Sequence, residues 1–219
     1  MPRYEAHFAI EPLFAPCSEE LLQQVSRQLA RPLPLPEEYL DFLRQWNGAI
    51  LFTGEMVILQ LEEPFEEQEF TVHNLYGIPT DTDCATPEIA KDSERFNLRL
   101  GGSHYDFDER VHSHWLAIGE GMDRCSRICI SLGEQNYGEV NVWNPVTPWE
   151  LDQRDEHGNY KIRERDLMPA GNSFSQFWKM LQTEEENEEY WRKRDAAMGE
   201  DEEIDILGRI DEWYKKRGL

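Results

Sequence analysis

The chain is poor in positive charge: 22 lysines and arginines stand against 44 aspartates and glutamates in 219 residues, a formal charge of −22 at pH 7. That balance repels nucleic-acid phosphates and anionic lipid, so it argues against nucleic-acid and membrane-surface roles and favours a basic partner. Apolar runs are short. None approaches the roughly 20 residues a helix needs to span a bilayer, and the start Met1-Pro2-Arg3-Tyr4-Glu5 lacks the apolar core of a signal peptide, so the expected location is the cytoplasm. Cysteine is scarce too. Cys17, Cys84, Cys125 and Cys129 are too few for a disulfide scaffold, and on one strand the last two would lie about 13 Å apart, at about 3.3 Å per residue, too far to bridge. Catalytic motifs are equally thin: there is no Gly-x-Ser-x-Gly elbow and no helical His-Glu-x-x-His. Gly101-Gly102 and Gly119-x-Gly121 lack the lysine or the strand-loop-helix setting of a phosphate loop. The expectation is a protein that is not an enzyme and needs no cofactor.

What is present reads as a globular α+β chain. Hydrophobic content of 39 % with seven tryptophans supports a packed core, while 30 % charged residues imply a strongly solvated surface. Ser18 followed by Glu19 and Glu20 is a helix start, and Leu21, Leu22, Val25 and Leu29 continue it at helical spacing, predicting a helix near 19–30. Pro32 and Pro34 separate it from a second helix. There Pro36 suits the first turn, Glu37 and Glu38 face the positive end of the dipole, and Tyr39, Phe42, Leu43 and Trp46 share a face. Asn47-Gly48 tolerates the left-handed backbone that ends it.

Segments 49–52 and 56–61 flank Thr53-Gly54-Glu55 and predict a hairpin, and 70–76 alternates as a further strand. Thr86-Pro87 opens a short helix to about Asn97; strands follow at 115–118, 126–132 and 138–143. Ser173 caps a helix carrying Phe174, Phe177, Trp178 and Leu181, a stripe read as core and expected to run on to about Ala197. A last helix is expected near 202–216. Short connections between the strands favour a mostly antiparallel twisted sheet flanked by helices, with an added C-terminal helical hairpin. The division expected is a domain at 1–182 and an acidic helical extension at 183–219.

The run Leu35-Pro36-Glu37-Glu38-Tyr39-Leu40-Asp41-Phe42-Leu43-Arg44-Gln45-Trp46-Asn47-Gly48 resembles the opening signature of the SUKH superfamily, the Smi/Knr-like domains. Trp115-Leu116-Ala117-Ile118-Gly119-Glu120-Gly121 with Asp123 resembles the family's apolar step into a glycine-bearing turn. Ile128 to Leu132 with Gly138-Glu139-Val140 is similar to its central hairpin, and Ser173-Phe174-Ser175-Gln176-Phe177-Trp178 to its closing Ser-Phe-x-x-Phe helix. The likeness covers about residues 20–182; the loop at 101–114, the 144–172 connection and the tail after 182 depart from the pattern. It implies protein binding, and for bacterial members immunity: stoichiometric blockade of a polymorphic toxin. A basic nuclease domain is the partner that the charge of this chain would suit, through steering and discrimination. The rival implication is an intracellular regulatory scaffold with a housekeeping partner.

Three clusters could carry chemistry. Glu62-Glu63-Pro64-Phe65-Glu66-Glu67-Gln68-Glu69 reads first as a solvated loop between strands; it is also the strongest interface candidate, its carboxylates mimicking phosphates and Phe65 serving as an apolar anchor. Asp81 and Asp83 would extend that patch, although Asp-Thr-Asp is also ordinary turn chemistry. The partner-binding set is therefore Glu62, Glu63, Phe65, Glu66, Glu67, Glu69, Asp81 and Asp83. His104 to His114 gathers imidazoles and carboxylates, with His112 and His114 on one strand face, but the zinc spacings are missing and no metal is expected. Finally, Ile206, Ile210 and Trp213 share a helical face that packs on the domain or docks a partner or a second copy.

Overall fold

The computed structural model describes residues 4–30, 32–51, 55–66, 68–79, 97–98, 113–123, 125–144, 167–197 and 206–216. Within them the strands are β1 (Glu11–Pro12), β2 (Ala49–Ile50), β3 (Val57–Leu59), β4 (Phe70–Leu75), β5 (Trp115–Gly121), β6 (Arg127–Ser131), β7 (Val140–Trp143), β8 (Leu167–Gly171) and β9 (Leu181–Thr183). The helices are α1 (Glu19–Gln28), α2 (Glu37–Gln45), α3 (Phe174–Lys179), α4 (Glu184–Ala197) and α5 (Ile206–Lys216). All nine strands join one sheet in the order β1-β2-β4-β5-β6-β7-β8, with β3 beside β4 and β9 beside β3. Every strand pairing is antiparallel. The fold is α+β, as the sequence predicts.

Each residue of β5, β6 and β7 is buried, so both faces of the central sheet are covered. On the helical side, rings dominate. Phe174 of α3 lies 4.9 Å from Tyr39 and 5.2 Å from Phe42 of α2, and Tyr4 meets Phe42, Phe174 and Trp178 edge-on. The aromatic stripe of α3 is therefore core. Tyr4 also donates from its hydroxyl to the Glu38 carbonyl at 2.6 Å, and burial pushes its pKa up to about 12.

The corner after α2 explains the Asn-Gly step. Asn47 and Gly48 take left-handed backbone, φ 45° and 85°. Buried Asn47 donates from Nδ2 to the carbonyls of Ala15 (2.6 Å) and Ile78 (3.0 Å) and accepts the Ile78 N–H at Oδ1 (2.8 Å). A methyl group on Gly48 would come within 2.7 Å of the Gly77 nitrogen, and one on Gly77 within 2.1 Å of the Asn47 carbonyl oxygen. Backbone meets backbone here. The N-terminal segment, the end of α2 and the exit of β4 are closed on each other by this backbone approach and by the one asparagine side chain.

Three expectations need correction. Segments β2 and β3 do not form a hairpin: both run antiparallel to β4, Ala49 and Ile50 against Leu75 and Asn74, then Val57 to Leu59 against Val72 to Phe70. They are two pieces of one interrupted strand. The helix from Ser173 stops after Lys179, because the Gln60 N–H captures the Met180 carbonyl at 3.0 Å and Leu181–Thr183 pairs with β3. A capping box then starts α4: the Thr183 hydroxyl accepts the Glu186 N–H at 3.3 Å, and Glu186 accepts the Thr183 N–H at 2.9 Å. Strand β8 lies in what the sequence left as a connection; its Pro169 is tolerated because the strand ends the sheet order. Helix α1 ends at Gln28; α5 is described from Ile206, and the 202–205 part expected for it lies outside the described residues, as does the helix expected at 86–97 except for Asn97, which bridges to Gly77. Cys125 precedes β6 in an exposed turn, and only Cys129 is on the strand, buried, with its thiol pKa pushed up by desolvation.

Candidate partner-binding surface

The acidic loop between β3 and β4 is folded back on itself. The Phe65 N–H donates to the Glu62 carbonyl and the Gln68 N–H to the Phe65 carbonyl, both at 2.9 Å, which turns Phe65 and Glu66 inward and leaves Glu62 and Glu63 outside. Glu69 is exposed as well. Glu67, Asp81 and Asp83 lie outside the described residues. The eight candidate residues thus divide into exposed carboxylates, an inward pair, and three whose placement is not described.

The inward pair is covered by the C-terminal helices. Phe65, 2 % exposed, meets Trp213 at 5.0 Å and 88° and Tyr214 at 6.0 Å and 75°, both edge-on. Glu66, 5 % exposed, faces Arg194 of α4 at 3.4 Å and Arg209 of α5 at 3.3 Å. Arg209 also reaches exposed Glu63 at 2.8 Å, and Gln176 of α3 donates to Glu62 at 3.1 Å. In this arrangement the apolar anchor expected at Phe65 is used within the chain. A carboxylate as buried as Glu66 requires cationic partners, since uncompensated burial costs several kcal/mol; two arginines supply them.

The inward face of α5 is formed by Arg209, Ile210, Trp213 and Tyr214, so the expected packing of this helix on the domain is found, with a basic residue in it. Arg194 and Arg209 were not singled out from the sequence. The signal for Arg209 was its position four residues before Trp213, which puts both on one face.

Elsewhere the acidity is displayed openly. In α4, Glu184, Glu185, Glu186, Glu188 and Glu189 are exposed, and only Asn187, Trp191 and Arg194 turn towards the body among the residues whose side chains are described. Partial burial works against ionisation of Glu186, but the Thr183 N–H and His7, 2.7 Å away, hold its carboxyl below the ordinary range. Hydrogen bonding from Lys193 does the same for Glu189. These carboxylates are fixed negative charge.

A second polar cluster is interior. Asn74, Glu120 and Arg127 are register partners in a row across β4, β5 and β6. Asn74 donates to Glu120 Oε1 at 2.9 Å, and Arg127 lies 3.8 Å from Oε2. His73 adds its ring to Asn74 at 2.8 Å. A one-residue slip of β5 would turn Glu120 to the other face and away from these partners, so the row pins the register of the central strands. Among the described residues no group of three or more His, Cys, Asp or Glu side chains is placed to hold a metal; the 104–112 part of the histidine cluster is outside them, and His114 packs on Trp115 at 5.5 Å. Nor, among the described residues, is any helix long and apolar enough to cross a membrane.

One antiparallel sheet, an aromatic helical layer closed by an Asn-Gly corner, and an acidic loop beside it make up an α+β domain. The sequence model of the SMI1 / KNR4 family (SUKH-1) matches residues 16–180, and the chain belongs to that family. No curated protein and no solved structure gives a significant match. The matched region takes in α1 to α3 and stops before β9, α4 and α5.

Proposed function

We propose that this chain is an immunity protein that neutralises a cognate toxin, a basic nuclease domain, by stoichiometric blockade and without turnover, in the cytoplasm. The observation that carries the reading is an exposed acidic loop on a SUKH-1 domain, in a chain of charge −22. An inhibitor with this charge meets a basic active cleft quickly and rejects acidic bystanders, because opposite potentials steer encounter and like charges penalise it. Glu62, Glu63 and Glu69, with Glu67, Asp81 and Asp83, form the contact surface; Phe65 and Glu66 shape the loop that presents it. Residues 1–182 act as the binding domain and 183–219 as an extension that borders the surface.

The test is affinity capture of the tagged chain from the cells that make it, at low and at high salt, followed by expression of whatever is retained. The expected result is a basic protein lost at high salt that arrests growth alone and not when co-expressed with this chain. Replacing Glu62, Glu63, Glu67 and Glu69 by Gln should weaken that binding at least tenfold and flatten its salt dependence. Capture of harmless housekeeping proteins, with the Gln variant binding them unchanged, would instead establish a regulatory scaffold.

A further inference from the structure

We infer that Glu63, Phe65 and Glu66 form a docking site for a basic amphipathic helix that carries an arginine and, four residues on, an aromatic ring, and that α5 is its resident, displaceable occupant. The inference rests on the reading of the acidic loop as the partner surface, and adds what the partner must present there. Three observations carry it. Arg209 engages Glu63 and Glu66 at 2.8 and 3.3 Å while Trp213, one turn further, stands edge-on to Phe65 at 5.0 Å, so one helix face satisfies the acids and the ring together. Glu66 is 5 % exposed and, among the described residues, both its arginines lie on Oε1 while Oε2 takes no hydrogen bond, so beside Arg194 the site favours a cover that brings a second cation. The covering helix lies beyond residues 16–180, the part that matches the family.

The hold of α5 is one-sided. Gly208, Asp211, Glu212, Lys215 and Lys216 face solvent, and of the residues whose side chains are described only Tyr214 is buried. Among the residues whose side chains are described, α5 is attached through Arg209, Ile210, Trp213 and Tyr214, whereas the loop it covers is anchored at both ends in the sheet, by β3 and β4. A partner helix with the same Arg and aromatic spacing replaces α5, Glu66 exchanging one guanidinium for another while Arg194 stays. Until then α5 shields Phe65 and lowers the apparent affinity by the fraction of molecules in which the site is closed.

The experiment uses the full chain and a fluorescein-labelled peptide of residues 206–216 as the probe. Full-length protein with Arg209→Ala and Trp213→Ala, its own helix released, should bind the peptide at least tenfold more tightly than the unaltered chain, and adding Glu66→Gln should abolish that gain. High salt should weaken the binding. Equal peptide binding by the released and unaltered chains, or none by a released chain with an unaltered circular dichroism spectrum, overturns the inference. Hydrogen exchange of the unaltered chain gives an independent reading that needs no variant: α5 amides should exchange well before those of β5 and β6, and equal protection would show that α5 is not displaceable. Neither measurement involves a toxin, so failure of the immunity reading would show in the capture experiment and not here.

Discussion

The corner at Asn47 and the clamp over Phe65 both bring sequence-distant segments together, but the first does so with backbone and the second with side chains. At the corner, Gly48 and Gly77 touch main chain to main chain, and one asparagine completes three hydrogen bonds with no charge involved. At the clamp, two arginines, two acids and three rings meet. Backbone closure has a single geometry and tolerates no added atom. Charge and ring contacts, by contrast, can be made again by another molecule with the same groups. The difference separates what specifies the fold from what is open to exchange, and the family match, which contains Asn47, Gly48 and Gly77 and omits the clamp helices α4 and α5, follows the same division.

The sharpest way to break this comparison is Gly77→Ala. Its methyl group would sit 2.1 Å from the Asn47 carbonyl oxygen, so the corner must open or the chain must unfold. We expect a loss of roughly 4 kcal/mol or more, read by urea denaturation. A loss under about 1 kcal/mol would show that the corner is soft. Asn47→Ala comes next: it strands two carbonyls and one N–H in the interior and puts alanine in left-handed backbone, for about 3 kcal/mol in the same assay. Trp213→Ala should cost about 1 kcal/mol, because the ring is only half-buried and its edge contacts are worth about that much. If Trp213→Ala proves as damaging as Gly77→Ala, the clamp belongs to the fold and the distinction fails.

The same contrast explains how far the sequence could be read. Local signals were sufficient where one segment decides its own state: the Ser18 start of α1, the acids and prolines around α2, and Asn47-Gly48 at its end. The corner was legible only in part, since Asn-Gly reveals the left-handed turn but not that Gly77, some thirty positions on, packs against it. Strand β9 was hidden because Leu181 continues the helical spacing of Phe174, Phe177 and Trp178; the open edge of β3 outweighed that periodicity, and the Thr183-x-x-Glu186 capping box that marks the new start was absorbed into the longer helix. The acidic loop was found from its charge, yet its division into outward Glu62 and Glu63 and inward Phe65 and Glu66 depends on helices more than a hundred residues away. Periodicity cannot report such a meeting.

The capping box offers a smaller perturbation. Thr183→Ala removes the hydroxyl that accepts the Glu186 N–H and loosens the carboxylate that accepts the Thr183 N–H. A loss of about 1 kcal/mol is expected, with faster amide exchange in the first turn of α4 and none in α2. Exchange that accelerates equally in both helices would mean that α4 and the domain unfold together, and would count against a separable extension.

The smallest effect tests whether charge contacts are weak within the matched domain as well. Arg44 of α2 bonds Glu19 of α1 through Nε at 2.9 Å and also contacts Glu37 and Asp41, tying the two helices by ion pairs at the surface. Hydrogen bonding from Arg44 is the main cause that holds the Glu19 carboxyl at about 2, below the usual value of about 4.3. The folded pKa is lowered, so the unfolded chain binds a proton first: the contribution is complete above about pH 4.3 and is lost as pH falls towards 2. Glu19→Gln should lower stability slightly near pH 7 and flatten its decline between about pH 4.5 and 2, so that the two proteins converge towards pH 2, with the difference small and shrinking in high salt because the group faces water. A decline of the same steepness in both proteins would show that solvent already screens the pair. A large loss at pH 7 would show that a charged side-chain contact can be as demanding as the backbone corner, and that closure by charge is not in itself the exchangeable kind.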